Sequence, residues 1–479
     1  MSDSIHAAMV GFDITPEIHP EYGAWGTTPV LTEIHMPLLG RCVALRQGDQ
    51  HLIWYGIDHC GLSVPETLAI RTEIAASLGV DTEEIVWSTS QTHSSPTFPG
   101  SRIPGGSSIT VRGAYDEAYC AAERVKIMKR CIDAGRAALE QAQPIQLLAG
   151  RGFCDSMSYN TRFPMPDGGV KFSRHHLEAL KSGKFYDPEI GLLVFTDRGG
   201  KALGAIFNFC SHPATMINDK YISPDGVGTA RACIEDALDG APAMFVQGFC
   251  GDVNCRHIFG TPEQASASGK RLGDAAVRAL PTLTPVRADR LILTYETIRL
   301  HCRPMWTVDE VNAEIGERRA YIESLKTDPE AAWVAGINLP EAFNPEEKAA
   351  TVQVQLQYFD EALRILAAGE PVRTGMEFRL GAARIGDVGA LLSHGENFTA
   401  AGLKVRQRSP FAHTLVCGDT NGMFGYLGDD AEMDRGGYET QTYWQMLYID
   451  GFRLAPRKGT ADRIIDTSVD LLWRLQKDN

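Results

Sequence analysis

Short apolar runs recur along this chain, each closed by a polar or glycine-bearing stretch. They are Leu52 to Ile57, Ile85 to Ser88, Leu192 to Phe195, Ala205 to Phe209, Met244 to Gln247, Leu291 to Ile298, Ala383 to Leu392 and His413 to Cys417. Runs so short, rich in Val, Ile and Phe, predict buried strands. Between them apolar residues fall at helical spacing. One helix starts at Ser63, where Glu66 completes a capping box, Pro65 suits the first turn and Gly79 supplies a stop. Others are predicted from Asp116 to Gln141, Glu263 to Leu280 and Thr460 to Gln476. The last places Ile464, Ile465, Leu472 and Leu475 on one face.

Strands alternating with helices predict an α/β class, with mixed sheets flanked by helices. No internal repeat or low-complexity tract divides the chain, so residues 1–479 are read as a single domain. Residues 304–371 break the pattern. They are charged, carry Trp306 and Trp333, and predict two helices, Glu310 to Leu325 and Glu346 to Leu366. This stretch is read as a helical insertion, either a cap that closes a pocket or a hairpin packed on the sheet.

Composition narrows the function classes. With 44% hydrophobic and 22% charged residues the chain is an ordinary globular protein, large enough to need no disulfides. A formal net charge of −14 disfavours nucleic acid and anionic membrane as partners, since both demand basic patches. The 11 cysteines include no CxxC pair and read as buried free thiols in a reducing compartment. The start, MSDSIHAAMVGFDITP, has neither the basic region nor the apolar core of a signal peptide. The expectation is a soluble cytoplasmic protein acting on a small molecule. Oligomeric state is not legible in the sequence.

Four predicted strand ends carry polar clusters. Ser88-Thr89-Ser90-Gln91-Thr92-His93 follows the first, and Cys210-Ser211-His212-Pro213 the second, where proline forbids continuing the sheet. Gly251-Asp252-Val253-Asn254 and Ser393-His394-Gly395-Glu396 follow the other two. Side chains at strand ends are aimed by a rigid scaffold. Each has an ordinary role open to it: a hydrogen-bonded buried histidine, or for Glu396 an acid at the start of a helix. Histidines and a glutamate after buried strands are also what a zinc ion requires. No HExxH or HxH pair is present, so spacing leaves both readings open.

Ordered segments carry a resemblance. They are Gly11-Phe12-Asp13-Ile14-Thr15-Pro16, Glu33 to Leu38, Gln91-Thr92-His93-Ser94-Ser95-Pro96, Asn208 to Met216, Gly251 to Asn254, Gly395 to Thr399, Asn421 to Tyr426 and Gly437-Tyr438-Glu439. In that order they resemble the opening DITP strand, the early H-x-x-L segment, the THTHSGP loop, and the NWxxxHPTSM, GDVSPN, EFT, NxYxxY and RYEA segments of the neutral/alkaline, non-lysosomal ceramidases, in particular short bacterial members. The resemblance implies a ceramidase-like α/β catalytic domain. It also implies a zinc ion on two His, one Glu and one Tyr, of which His212, Glu396 and Tyr426 carry across. Gln91 stands where the family has its other histidine. Either the Gln91 amide oxygen or His93 fills that place, or the metal is lost; Asp58-His59 could also contribute.

Asn254 stands where the family has a nucleophilic serine, so an acyl-enzyme on that template is excluded. The simpler route is attack by metal-activated water. His93 would serve as general base or acid, Asp252 would orient it or a water, and Asn254 would donate to the substrate or oxyanion. Arg162, in a loosely similar N-R segment, would bind a substrate carboxylate or carbonyl, or else form a surface salt bridge. Extracellular ceramidases add a secretion signal and a C-terminal immunoglobulin-like domain that this sequence does not show. The expected activity is therefore Zn2+-dependent hydrolysis of an amide, lactam, lactone or ester in a small soluble substrate. A metal-free binding protein and a metal-dependent lyase or isomerase are the alternatives.

Overall fold

Three sheets frame the protein, whose computed structural model describes residues 4–19, 31–96, 98, 117–173, 176–217, 219–331, 344–441 and 451–477. The first runs, in spatial order, Ile85–Thr89, Gln50–Ile57, Leu39–Gln47, His6–Asp13 and Gln143–Pro144. The second runs Ala243–Gln247, Ala202–Phe209, Glu189–Thr196, Gln146–Phe153 and Thr284–Val286. The third runs Leu291–His301, Gly375–Ile385, Val388–Ser393 and His413–Cys417. Their inner faces share one apolar core, in which Trp54 and Val86 meet Phe195, Ile206, Met244, Leu392 and Leu415.

Helices cover the outer faces. Val64–Leu78 and Glu117–Gln141 pack on the first sheet, and Gly226–Ala237 and Pro262–Ala279 on the second. Val308–Ser324, Pro345–Ala368 and Thr460–Lys477 cover the third. Strands buried on both faces read as continuous apolar runs, which is why the sequence shows runs rather than alternation. The α/β class with mixed sheets is thus the observed architecture.

The Ser63 cap forms as predicted. The Ser63 N–H donates to Glu66 Oε2 at 3.1 Å, the Glu66 N–H donates to Ser63 Oγ at 3.3 Å, and Gly79 closes the helix at φ 72°. The run Ala383 to Leu392 is instead two antiparallel strands turning at Gly386-Asp387. Gly386 has φ +63°, and a Cβ there would lie 1.7 Å from the Arg287 carbonyl oxygen, so only glycine fits. The helix Gly226–Ala237 escaped the apolar pattern because small residues make its contact: a Cβ on Gly269 would meet the Gly226 carbonyl oxygen at 2.0 Å.

Within residues 304–371, Val311, Ile315, Tyr358 and Phe359 join Leu300 and Phe378 in one cluster. Trp306 is buried there with its ring edge-on to Tyr358 and Phe359, so it fills this layer rather than lining an open pocket. Trp333 lies outside the described residues. No helix among the described residues is long and apolar enough to cross a membrane.

One feature of the sheets positions the chemistry. Each contains a parallel pair: Gln50–Ile57 with Ile85–Thr89, Ala202–Phe209 with Ala243–Gln247, and Val388–Ser393 with His413–Cys417. The loops leaving these pairs are stitched together. Gln247 Nε2 donates to the carbonyls of Ser90 and Ser211 at 3.2 and 2.6 Å, and its own backbone carbonyl accepts from the Gly418 N–H at 2.9 Å. The Asn208 side chain joins the second sheet to the third through Val246 and Val416.

Candidate metal centre at the strand ends

Two short pairings set the site residues side by side. Glu396–Asn397 pairs in parallel with Tyr426–Leu427, with Glu396 opposite Tyr426. His212 forms a parallel bridge with Asn254. Backbone bonds fix the approach: the Glu396 N–H donates to the Gly425 carbonyl at 3.0 Å, and the Gly251 N–H to the Asn397 carbonyl at 3.0 Å. Gly251 is required by this contact, since a Cβ there would stand 2.2 Å from the Glu396 carbonyl oxygen. The helix Thr399–Arg408 begins only after Phe398, so Glu396 belongs to the bridging strand and not to a helical first turn.

Three donor atoms converge. His212 Nε2 lies 3.3 Å from Glu396 Oε2 and 3.3 Å from Tyr426 Oη. His212 Nδ1 lies 2.9 Å from the Val253 carbonyl oxygen. A carbonyl can only accept, so Nδ1 carries a proton and Nε2 is the atom that faces Glu396. A ring nitrogen and a carboxylate oxygen at that distance need a proton or a cation between them. Zinc–ligand bonds of about 2.0–2.1 Å at tetrahedral angles put neighbouring ligands about 3.3 Å apart, the separation found on both edges. The Val253 carbonyl behind the imidazole is the kind of outer partner that orients metal-binding histidines. His212, Glu396 and Tyr426 therefore fit a divalent ion. Among the described residues no three His, Cys, Asp or Glu side chains form a metal-binding group; the third donor here is a tyrosine.

Two residues next to these donors carry a buried polar atom without a hydrogen-bond partner among the described residues: His93 at Nδ1, and Asn254, bridged to His212, at Oδ1. Such groups cost free energy unless something enters to satisfy them. The His93 and His212 rings are 5.9 Å apart, and the His93 N–H of the backbone donates to the Pro213 carbonyl at 3.1 Å. Burial, and then His212, push the His93 imidazole down to about 3, so it is neutral near pH 7. Burial, and then Glu396, hold the Tyr426 phenol well above its ordinary value.

The other expected residues are placed differently. Gln91, at φ +63°, accepts the Cys250 thiol on Oε1 at 3.1 Å, so its amide oxygen is engaged. Asp252 neither orients His93 nor stands open to a water. Its Oδ1 accepts from the Thr399 N–H at 2.7 Å and the Thr399 hydroxyl at 2.8 Å, and its Oδ2 accepts from Asn160 at 2.8 Å. It caps the helix that follows Glu396. Burial raises its carboxyl, opposed by those hydrogen bonds.

Arg162, expected to meet substrate or solvent, is fully buried and committed elsewhere. Nε donates to Glu432 at 2.5 Å, Nη1 to Glu439 at 2.7 Å, and Nη2 to the carbonyls of Glu432 and Gly436. Four of its five N–H groups are thus used, and the guanidinium lies over the Phe398 ring. Asp58 pairs with Arg231 through both oxygens, and the neighbouring His59 ring accepts from the Gly61 N–H. Asp419, with the Cys250 thiol 3.9 Å from its Oδ2, is a buried acid that the sequence reading did not single out. Asp419 leaves the strand His413–Cys417, and the strand-end reasoning applied to His212 and Glu396 reaches it too.

The whole chain superposes on neutral ceramidase from Pseudomonas aeruginosa, with TM-score 0.64 and 19% identity over 98% of this chain and 75% of that one. A ceramidase structure complexed with C2 gives TM-score 0.64 and 19% identity, over 95% of this chain and 77% of that one. No protein-family model and no curated protein matches the sequence. The fold is ceramidase-like, in agreement with the ordered motifs.

Proposed function

We propose that this protein is a divalent-metal-dependent hydrolase of an amide, lactam, lactone or ester bond in a small substrate, working without a serine nucleophile. The observation that carries the reading is the pair of 3.3 Å edges joining His212 to Glu396 and Tyr426 around one buried point. The ceramidase fold supports an amide-bond hydrolase in particular.

His212, Glu396 and Tyr426 would hold the ion, and zinc suits this nitrogen and oxygen set. Three protein donors are the usual complement of a catalytic zinc, which keeps one position open, so Gln91 need not ligate. When bound, the ion supplies Lewis acidity for a substrate carbonyl and for water, whose pKa can fall to about 7. His93, with Nδ1 unpartnered, would hold the proton at that atom and return it to the leaving group. Asn254, bridged to His212, would donate its amide N–H to the developing oxyanion.

Metal analysis of the purified protein, with a panel of amides and esters, tests this. The expected result is bound zinc in the wild type, little in His212→Ala, and turnover lost to a chelator and restored by zinc. Two metal-free, equally active preparations would sink the proposal. Turnover in heavy-oxygen water separates hydrolysis from lyase or isomerase chemistry, because hydrolysis alone puts solvent oxygen into the acid product.

A further inference from the structure

Asp419 is 2% exposed, yet its Oδ1 has no partner among the described residues, and Oδ2 has the Cys250 thiol at 3.9 Å. Its backbone is left-handed at φ +44°, a conformation strained for a non-glycine residue. Strand-end bonds hold it there: the Thr89 N–H donates to the Asp419 carbonyl at 3.1 Å. Burial, and then Glu396, push its carboxyl well up. Neither Asp419 nor Glu396 is ion-paired to a Lys or Arg among the described residues. The two buried acids are linked through one loop: the Cys250 thiol contacts Asp419, and the next residue, Gly251, packs on the Glu396 carbonyl; a buried carboxylate without a cation is costly.

We propose that Asp419 is a second carboxylate of the cation site, supplying negative charge to a divalent ion from outside the His212, Glu396 and Tyr426 ligand set. The inference rests on the metal reading above and adds a residue to it. One divalent cation balances the two carboxylates. Without it they repel, and the strained Asp419 loop destabilises the protein; with it, the same charge tightens binding.

Asp419→Asn keeps the shape and removes the charge. Thermal unfolding of chelator-treated and zinc-loaded protein, with zinc affinity from chelator competition, reads the effect without any substrate. The metal-free variant is expected to melt above metal-free wild type. Its zinc-induced rise should be smaller, and its zinc affinity weaker by about tenfold or more, as for outer partners of metal ligands. Asp419→Gly, which suits the left-handed backbone, should show the same loss of affinity and stands in if the first variant fails to fold. Wild-type zinc affinity in either variant, or a metal-free Asp419→Asn that melts below wild type, would overturn the role of Asp419 alone. Wild type that neither binds zinc nor shifts its melting would overturn the metal reading, and this inference with it.

Discussion

Replacing Arg162 with Met separates a residue that supports the site from one that touches substrate. The guanidinium is wholly buried, and Glu439, 3% exposed, has it as ion-pair partner at 2.7 Å. Glu432 keeps Lys184 and Arg435 when Arg162 is removed, but among the described residues Glu439 keeps only the Thr161 hydroxyl at 2.5 Å. The variant thus strands one buried carboxylate and two carbonyls, those of Glu432 and Gly436. Breaking a buried pair from one side costs about 3–5 kcal/mol, chiefly through the charge left behind. Urea unfolding at pH 7 should show that loss with an unchanged denaturant slope. Adding Glu439→Gln should recover part of it, because the stranded charge is gone. A loss under about 1 kcal/mol, with substrate affinity falling instead, would refute the reasoning and return Arg162 to a substrate-binding role.

Two further outcomes follow from the geometry. Gly251→Ala drives a Cβ into the Glu396 carbonyl, so it should cost about 1–3 kcal/mol and lower zinc affinity together, read by unfolding and chelator competition. His394 is held down to about 3 by burial and then by Arg453, Arg379 and Arg71, and its Nε2 accepts from the Arg379 N–H. Its folded value lies below the unfolded value of about 6.5, so the unfolded chain binds the proton first. Stability is then present above that value and lost as pH falls toward 3, by about 2 kcal/mol between pH 7 and pH 5. His394→Gln keeps an acceptor for Arg379 and should lose that much less than wild type over the same interval, measured by urea unfolding at both pH values.

The secondary structure was legible wherever a local rule sufficed. The Ser63 box, the Gly79 stop and the apolar face of Thr460–Lys477 depend on neighbours in sequence, and they form as read. The turn at Gly386 was also local, but it lies inside an unbroken apolar run that masks it. Gly226–Ala237 could not show an apolar face, because its contact with the next helix is made of backbone and small side chains.

The candidate site divides on the same line. Residue type and strand-end position in the sequence marked His212 and Glu396, and the motif resemblance added Tyr426. Their separation did not follow from sequence: it comes from the register that sets Glu396 opposite Tyr426 and His212 beside Asn254, and from the Gly251–Asn397 backbone bond that joins a loop of the second sheet to one of the third. Tertiary structure alone took Arg162 and Asp252 out of solvent and gave them protein partners, because burial obliges a charge to find its counterpart wherever the fold brings one. It also left Asp419 buried with an oxygen unpartnered, a fact that no spacing in the sequence encodes. The sequence determined which chemistry was available at each strand end, since that is a property of residue type; the meeting of three sheets decided which of those groups share one space, since distance belongs to the folded chain.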